Sequence, residues 1–137
     1  MKKKKWLSLV LVATGLLTAC GAEKTDDKTD AKPTVGVLQL VAHASLDASY
    51  DGFLEGLAEN GYPEEKITLD YQNAQNDQAN LKSMSEKLVK ENPDVLLAIA
   101  TPAAQALKNE TSDIPITVTA VTDLVGAKLV ADNDKPG

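Results

Sequence analysis

The sequence predicts an α/β chain with a doubly wound parallel sheet of strand order 2-1-3-4, and three observations carry that reading. Short apolar runs alternate with stretches whose apolar positions recur at helical spacing, giving strand, helix, strand, helix, strand, helix, strand between Val35 and Ala120. One of these runs, Val95 to Ala100, passes directly into Thr101-Pro102, residue types suited to the cap and first position of a helix. Crossovers between parallel strands are right-handed, and winding the units that way sets the first strand between the second and the third.

The elements follow in order. Val35 to Val41 is a buried first strand, and Ser45 is suited to cap a helix with apolar positions at Leu46, Tyr50, Phe53, Leu54 and Leu57. Asn60-Gly61 ends that helix and Pro63 prevents its continuation. Lys66 to Tyr71 alternates Ile67, Leu69 and Tyr71 as a second strand. Asp77 caps the next helix, where Leu81, Met84, Leu88 and Val89 form one apolar stripe before Asn92-Pro93 stops it. The third strand then runs into a helix from Pro102 to about Glu110. A fourth strand spans Pro115 to Ala120, and Asp123 to Val130 reads as a loop with a short helical turn.

Upstream of Thr34 the chain changes character. Lys2 to Lys5 are a positive leader, Trp6 to Leu17 an apolar run shorter than the roughly 20 residues needed to span a bilayer, and Leu17-Thr18-Ala19-Cys20 places small residues before a cysteine. This resembles a bacterial lipoprotein signal, in which the cysteine becomes the lipidated first residue of the mature chain. Residues 1–19 are therefore expected to be a signal peptide, Cys20 the lipidation site, 20–33 a flexible tether and 34–137 the folded unit. Gly21 to Lys32 holds no apolar side chain larger than alanine, as a solvated tether requires.

Composition narrows the function classes. All 14 basic residues are lysines, against 20 acids, for a formal net charge of −6; without Lys2 to Lys5 the balance is ten against 20, or −10. A phosphate backbone needs a basic surface, so nucleic acid is excluded as a partner. Cys20 is the only cysteine, which leaves no intrachain disulfide and no thiol cluster for a metal. Gly52, Gly56 and Gly61 do not form a G-x-G-x-x-G loop, no Walker lysine pattern exists, and no G-x-S-x-G elbow is present. No catalytic residue, metal site or cofactor is expected. His43, the only histidine, follows the first strand; a ligand contact or a solvated loop residue is expected ahead of a general base.

Polar groups do gather at the carboxyl ends of the strands, where open α/β sheets bind ligands. His43, Ser45 and Asp47 follow the first strand, Gln72, Asn73, Gln75 and Asp77 the second, Thr101 the third, and Thr119, Thr122 and Asp123 surround the end of the fourth. Capping accounts for Asp77 and Ser45. Three carboxamides within Gln72-Asn73-Ala74-Gln75 exceed what a turn needs.

Read as blocks, VGVLQLVAHASLDASYDGFLEGLAENGY, LDYQNAQNDQANL, LLAIATPAAQAL and ITVTAVTDLVGAKLV, in that order, resemble the N-terminal lobe of ABC-transporter substrate-binding lipoproteins of the tryptophan/tyrosine-binding type. The resemblance covers Thr34 to Gly137. It implies part of a two-lobed, periplasmic-binding-protein-like clamshell that closes on a ligand and delivers it to permease subunits, with the second lobe beyond this chain. It further implies an extracytoplasmic, lipid-anchored solute-binding protein whose first expected ligand is an aromatic amino acid. A zwitterionic ligand needs donors for its carboxylate, and the helix opening at Thr101, Pro102 and Ala103 offers N–H groups and a hydroxyl. Asp123 is the expected ammonium partner, and Leu46 and Val121 are placed to pack against the ligand's side chain. His43, Ser45, Gln72, Asn73 and Thr119 complete the expected site. Two other classes share the fold prediction: an extracellular sensor lipoprotein and an enzyme on a flavodoxin-like sheet.

Overall fold

Buried apolar runs become the strands and amphipathic stretches the helices in a computed structural model that describes residues 31–136. The expected signal peptide, Cys20 and most of the tether lie outside the described residues. In chain order the elements are β1 (Thr34–Gln39), α1 (Ala44–Glu59), a 3-10 turn (Glu64–Lys66), β2 (Thr68–Asn73), α2 (Gln78–Lys90), β3 (Val95–Ile99), α3 (Thr101–Glu110) and β4 (Ile116–Thr119). All neighbouring strands are parallel and the sheet order is β2-β1-β3-β4, as the sequence predicts.

The second strand begins two residues later than expected because the 3-10 turn takes up Lys66. Pro63 sits at φ −65°, and its carbonyl accepts from Lys66 N at 2.8 Å, so the chain turns once more before Ile67 is buried. Two helix starts also differ. His43, not Ser45, caps α1, and Ala100, not Thr101, caps α3. Asp77 caps α2 as expected, with its carboxylate accepting from Asn80 N at 2.8 Å.

Two unequal layers cover the sheet. On one face Leu38, Leu96 and Ala98 pack with Leu81 and Leu88 of α2 and with Ala103, Ala104 and Leu107 of α3. On the other face Val35, Val37, Leu97 and Ile99 lie beneath Leu46, Tyr50, Phe53 and Leu57 of α1, a helix with no fully buried residue. Each large apolar side chain removed from water stabilises the fold by about 1.5–3 kcal/mol, so the two-helix layer carries most of the core. Gly36 lets that layer close: a Cβ there would meet Leu96 Cδ2 at 2.8 Å and Leu88 Cδ2 at 3.2 Å.

The amino end of the sheet is tied by a compact polar latch. Thr34 N and Oγ1 donate to Asp94 Oδ2 at 2.7 and 3.0 Å, and Asp94 N returns a bond to Thr34 O at 3.0 Å. This fixes β1 to β3 at one end and leaves their other ends to diverge into α1 and α3.

Candidate functional site

The chain leaves β1 toward α1 on one face of the sheet and leaves β3 toward α3 on the opposite face. Because β1 and β3 are neighbours, with Gln39 opposite Ile99, the two connections part above that pair and open a crevice. This is the topological switch point at which open α/β sheets hold ligands. The N-termini of α1 and α3 flank it.

The α3 side is built on strained backbone. Ala100 sits at φ 84°, ψ 154°, a region that is almost exclusively glycine's, yet it is buried and donates its N–H to Thr119 O at 3.1 Å. Its carbonyl accepts from Ala104 N at 3.1 Å, so α3 begins at once with no side chain capping it. Pro102 has no N–H, which leaves the amides of Thr101 and Ala103 as the donors of the first turn. The helix dipole adds positive potential at the same place. The arrangement suits an anionic group such as a carboxylate.

The α1 side is built on His43. Its Nδ1 accepts from Ser45 N at 3.3 Å, and the exposed ring turns its Nε2 edge to solvent. Behind it, the buried Gln39 carboxamide donates to Val41 O at 2.9 Å and to Asp47 Oδ1 at 2.7 Å. Gln39 was not among the expected site residues; the signal for it is a lone carboxamide inside the apolar run Val35 to Val41.

The sheet register sorts the remaining candidates. Asn73, Gln39, Ile99 and Thr119 form one transverse row at the carboxyl end and share the α1 face. Gln72 belongs to the opposite face, where its amide donates to Asp70, itself bound by Lys87 of α2 at 2.7 Å. Asn73 is occupied in a turn, its Oδ1 accepting from Gln75 N at 2.9 Å ahead of the left-handed Gln75 and Asn76. The carboxamide cluster of β2 is thus divided among a turn, an acid and solvent. Ser45 lies exposed in the first turn of α1, and its carbonyl accepts from Ser49 Oγ. Asp123 is exposed and caps its own loop, accepting from Gly126 N at 2.8 Å. Leu46 packs from α1 onto the sheet, and Val121 packs against the α2–α3 layer. The topology places His43, Gln39, Thr101, Ala103 and, through the row it shares with Ile99, Thr119 at the carboxyl edge beside this switch point, with Gln39 and Ala103 buried.

The family model described as ABC transporter substrate binding protein matches residues 34–137. The chain belongs to that family. A relative, the tyrosine-binding protein of Clostridioides difficile strain R20291, is 43% identical over 149 residues; the match takes in all of this chain and 43% of the relative. Among solved structures, an ABC domain in complex with L-Trp from Streptococcus pneumonia superposes with a TM-score of 0.76 at 45% identity, over 78% of this chain and 36% of that one. A conserved domain protein from Vibrio cholerae gives 0.76 at 48%, over 77% and 36%. The ligand-free, open structure of a substrate-binding protein with adhesive properties from Clostridium difficile gives 0.71 at 46%, over 73% and 34%. The chain therefore spans between 34% and 43% of the length of the relatives it matches.

Proposed function

We propose that the chain captures an aromatic amino acid, tryptophan or tyrosine, for an ABC importer, and passes it to permease subunits at the extracytoplasmic face of a bacterial membrane. In this reading residues 1–19 are a lipoprotein signal, Cys20 carries the lipid, 20–33 form the tether and 34–137 the N-terminal α/β lobe. The proteins it resembles support the ligand class, one being a tyrosine-binding protein and another a domain in complex with L-Trp. The observation that carries the reading is the strained Ala100, which starts α3 without a capping side chain and leaves the Thr101 and Ala103 amides for a carboxylate.

A titration of the chain with L-tryptophan and L-tyrosine, followed by backbone-amide NMR, tests this. Saturable shifts at Thr101 and Ala103 with either amino acid are the expected result. Saturable shifts with a sugar or nucleoside, and none with any amino acid, would remove the ligand assignment.

A further inference from the structure

Gln39 carries the one buried side-chain polar atom without a hydrogen-bond partner among the described residues, its Oε1. The residue is fully buried, and both of its N–H groups are committed, to Val41 O and to Asp47 Oδ1. Those two acceptors fix the amide's orientation, because the flipped rotamer would turn Oε1 against them. An amide whose nitrogen donates to a carboxylate is polarised toward its oxygen, so Asp47 makes Oε1 a stronger acceptor than a free carboxamide. Asp47 is half-buried in the first turn of α1, where the helix dipole favours its negative charge. A buried acceptor without a donor carries a desolvation penalty that a site repays only when a donor arrives.

Gln39 also stands where such a donor would come from. It ends β1 opposite Ile99, the residue before the strained Ala100, so its backbone adjoins the start of α3 at the switch point. An acceptor backed by negative charge on one side and N–H donors on the other match the two charged ends of an amino acid. Asp123, the acid first expected to meet the ammonium, is held in its own loop.

We propose that Gln39 Oε1, polarised by Asp47, accepts a hydrogen bond from the ligand's ammonium, with the exposed loop at Ala42 and His43 yielding to admit it. This inference rests on the amino-acid reading above and deepens it: the site selects ligands bearing a protonated amine beside the carboxylate, not a carboxylate alone. Gln39 is then a ligand contact and Asp47 a positioning residue that acts through it.

The test compares L-tryptophan with indole-3-propionate, which keeps the ring and carboxylate but lacks the amine, by amide NMR titration of the chain. The wild type is expected to prefer L-tryptophan by about tenfold or more, the scale of one hydrogen bond to a charged group. Gln39→Met is expected to lose that preference, weakening L-tryptophan about tenfold while indole-3-propionate stays within about twofold. Asp47→Asn keeps an acceptor for the Gln39 amide and removes the charge; it is expected to weaken L-tryptophan about threefold and leave indole-3-propionate unchanged, and it carries the test if circular dichroism shows Gln39→Met unfolded. Equal wild-type affinity for the two ligands, or a parallel loss of both in the variants, overturns the inference while leaving the amino-acid reading in place. A wild type that binds a sugar or nucleoside and no amino acid overturns both.

Discussion

At the amino end of the sheet, the connections that need left-handed backbone use Gly61 at φ 91° and Asn92 at φ 50°. At the carboxyl end, the residues directly after β3 and β4 are Ala100 at φ 84° and Ala120 at φ 56°, alongside Gln75 and Asn76 after β2. Glycine and asparagine enter this region at little cost, whereas an alanine there costs on the order of 1–3 kcal/mol that neighbouring structure must offset. The amino end is also tied by the Thr34–Asp94 latch, while the carboxyl end holds Gln39 Oε1, which has no hydrogen-bond partner among the described residues. The difference teaches where the molecule spends its stability. Its amino end is tied by a polar latch, and its carboxyl edge holds the strained alanines and an acceptor without a donor.

Substitutions can break or sharpen that division. The largest effect is expected from Leu96→Ala: Leu96 is fully buried beside Gly36 and in the layer with Leu88, and its truncation is expected to cost about 2–5 kcal/mol in urea unfolding. The folded fraction should still show wild-type ligand shifts at Thr101 and Ala103. Altered shifts would mean that the two ends are not separable.

Asp94→Ala tests the latch itself. Loss of the carboxylate that accepts from Thr34 N and Oγ1 is expected to lower stability by about 1–2 kcal/mol, because these are hydrogen bonds to a charged group partly shared with solvent. Ligand response should again be unchanged. Ala100→Gly tests the opposite end with the opposite sign. Relief of the strained φ, less the extra chain entropy of glycine, is expected to raise stability by about 0.5–1 kcal/mol. A loss of stability on thermal unfolding would show that Ala100 carries no strain and that the contrast between the two ends is wrong.

The sequence made the alternation, the sheet order and the Asp77 cap legible because apolar periodicity and turn residues record them directly. It was misleading at the two helix starts that flank the crevice. Thr101 after an apolar run has the appearance of a cap, but β3 delivers the cap position to Ala100, whose role depends on a dihedral angle that no residue type announces. Ser45 likewise looks like a cap until the ring of His43 takes the position. Gln39 was visible only as a polar residue in an apolar strand. Its importance lies in Asp47 and Ile99, eight residues ahead and across the sheet, and such a meeting is decided by packing and register. The carboxamides of Gln72 and Asn73 point the other way: adjacent in sequence, they sit on opposite faces because side chains of a strand alternate.

The smallest expected effect concerns charge away from either end. Asp70 lies within β2 on the α2 face; burial works to raise its pKa, but the donations from Lys87 and Gln72 outweigh it and hold the carboxyl below its ordinary value. The contact correspondingly raises the pKa of Lys87. A depressed carboxylate contributes stability that is fully present above its unfolded pKa and is lost as pH falls through the folded one. Asp70→Asn is therefore expected to be slightly less stable than wild type at neutral pH, and the two thermal midpoints should converge as the solution is acidified below the carboxylate range. Because Lys87 and Asp70 are both reached by solvent, screening keeps the difference below that of Ala100→Gly, and added salt should shrink it further. A gap that persists at acid pH would assign the effect of Asp70 to packing instead of charge. A change in the ligand response of Thr101 would tie the edge of the sheet to its crevice, a coupling that separate backbone and electrostatic contributions do not predict.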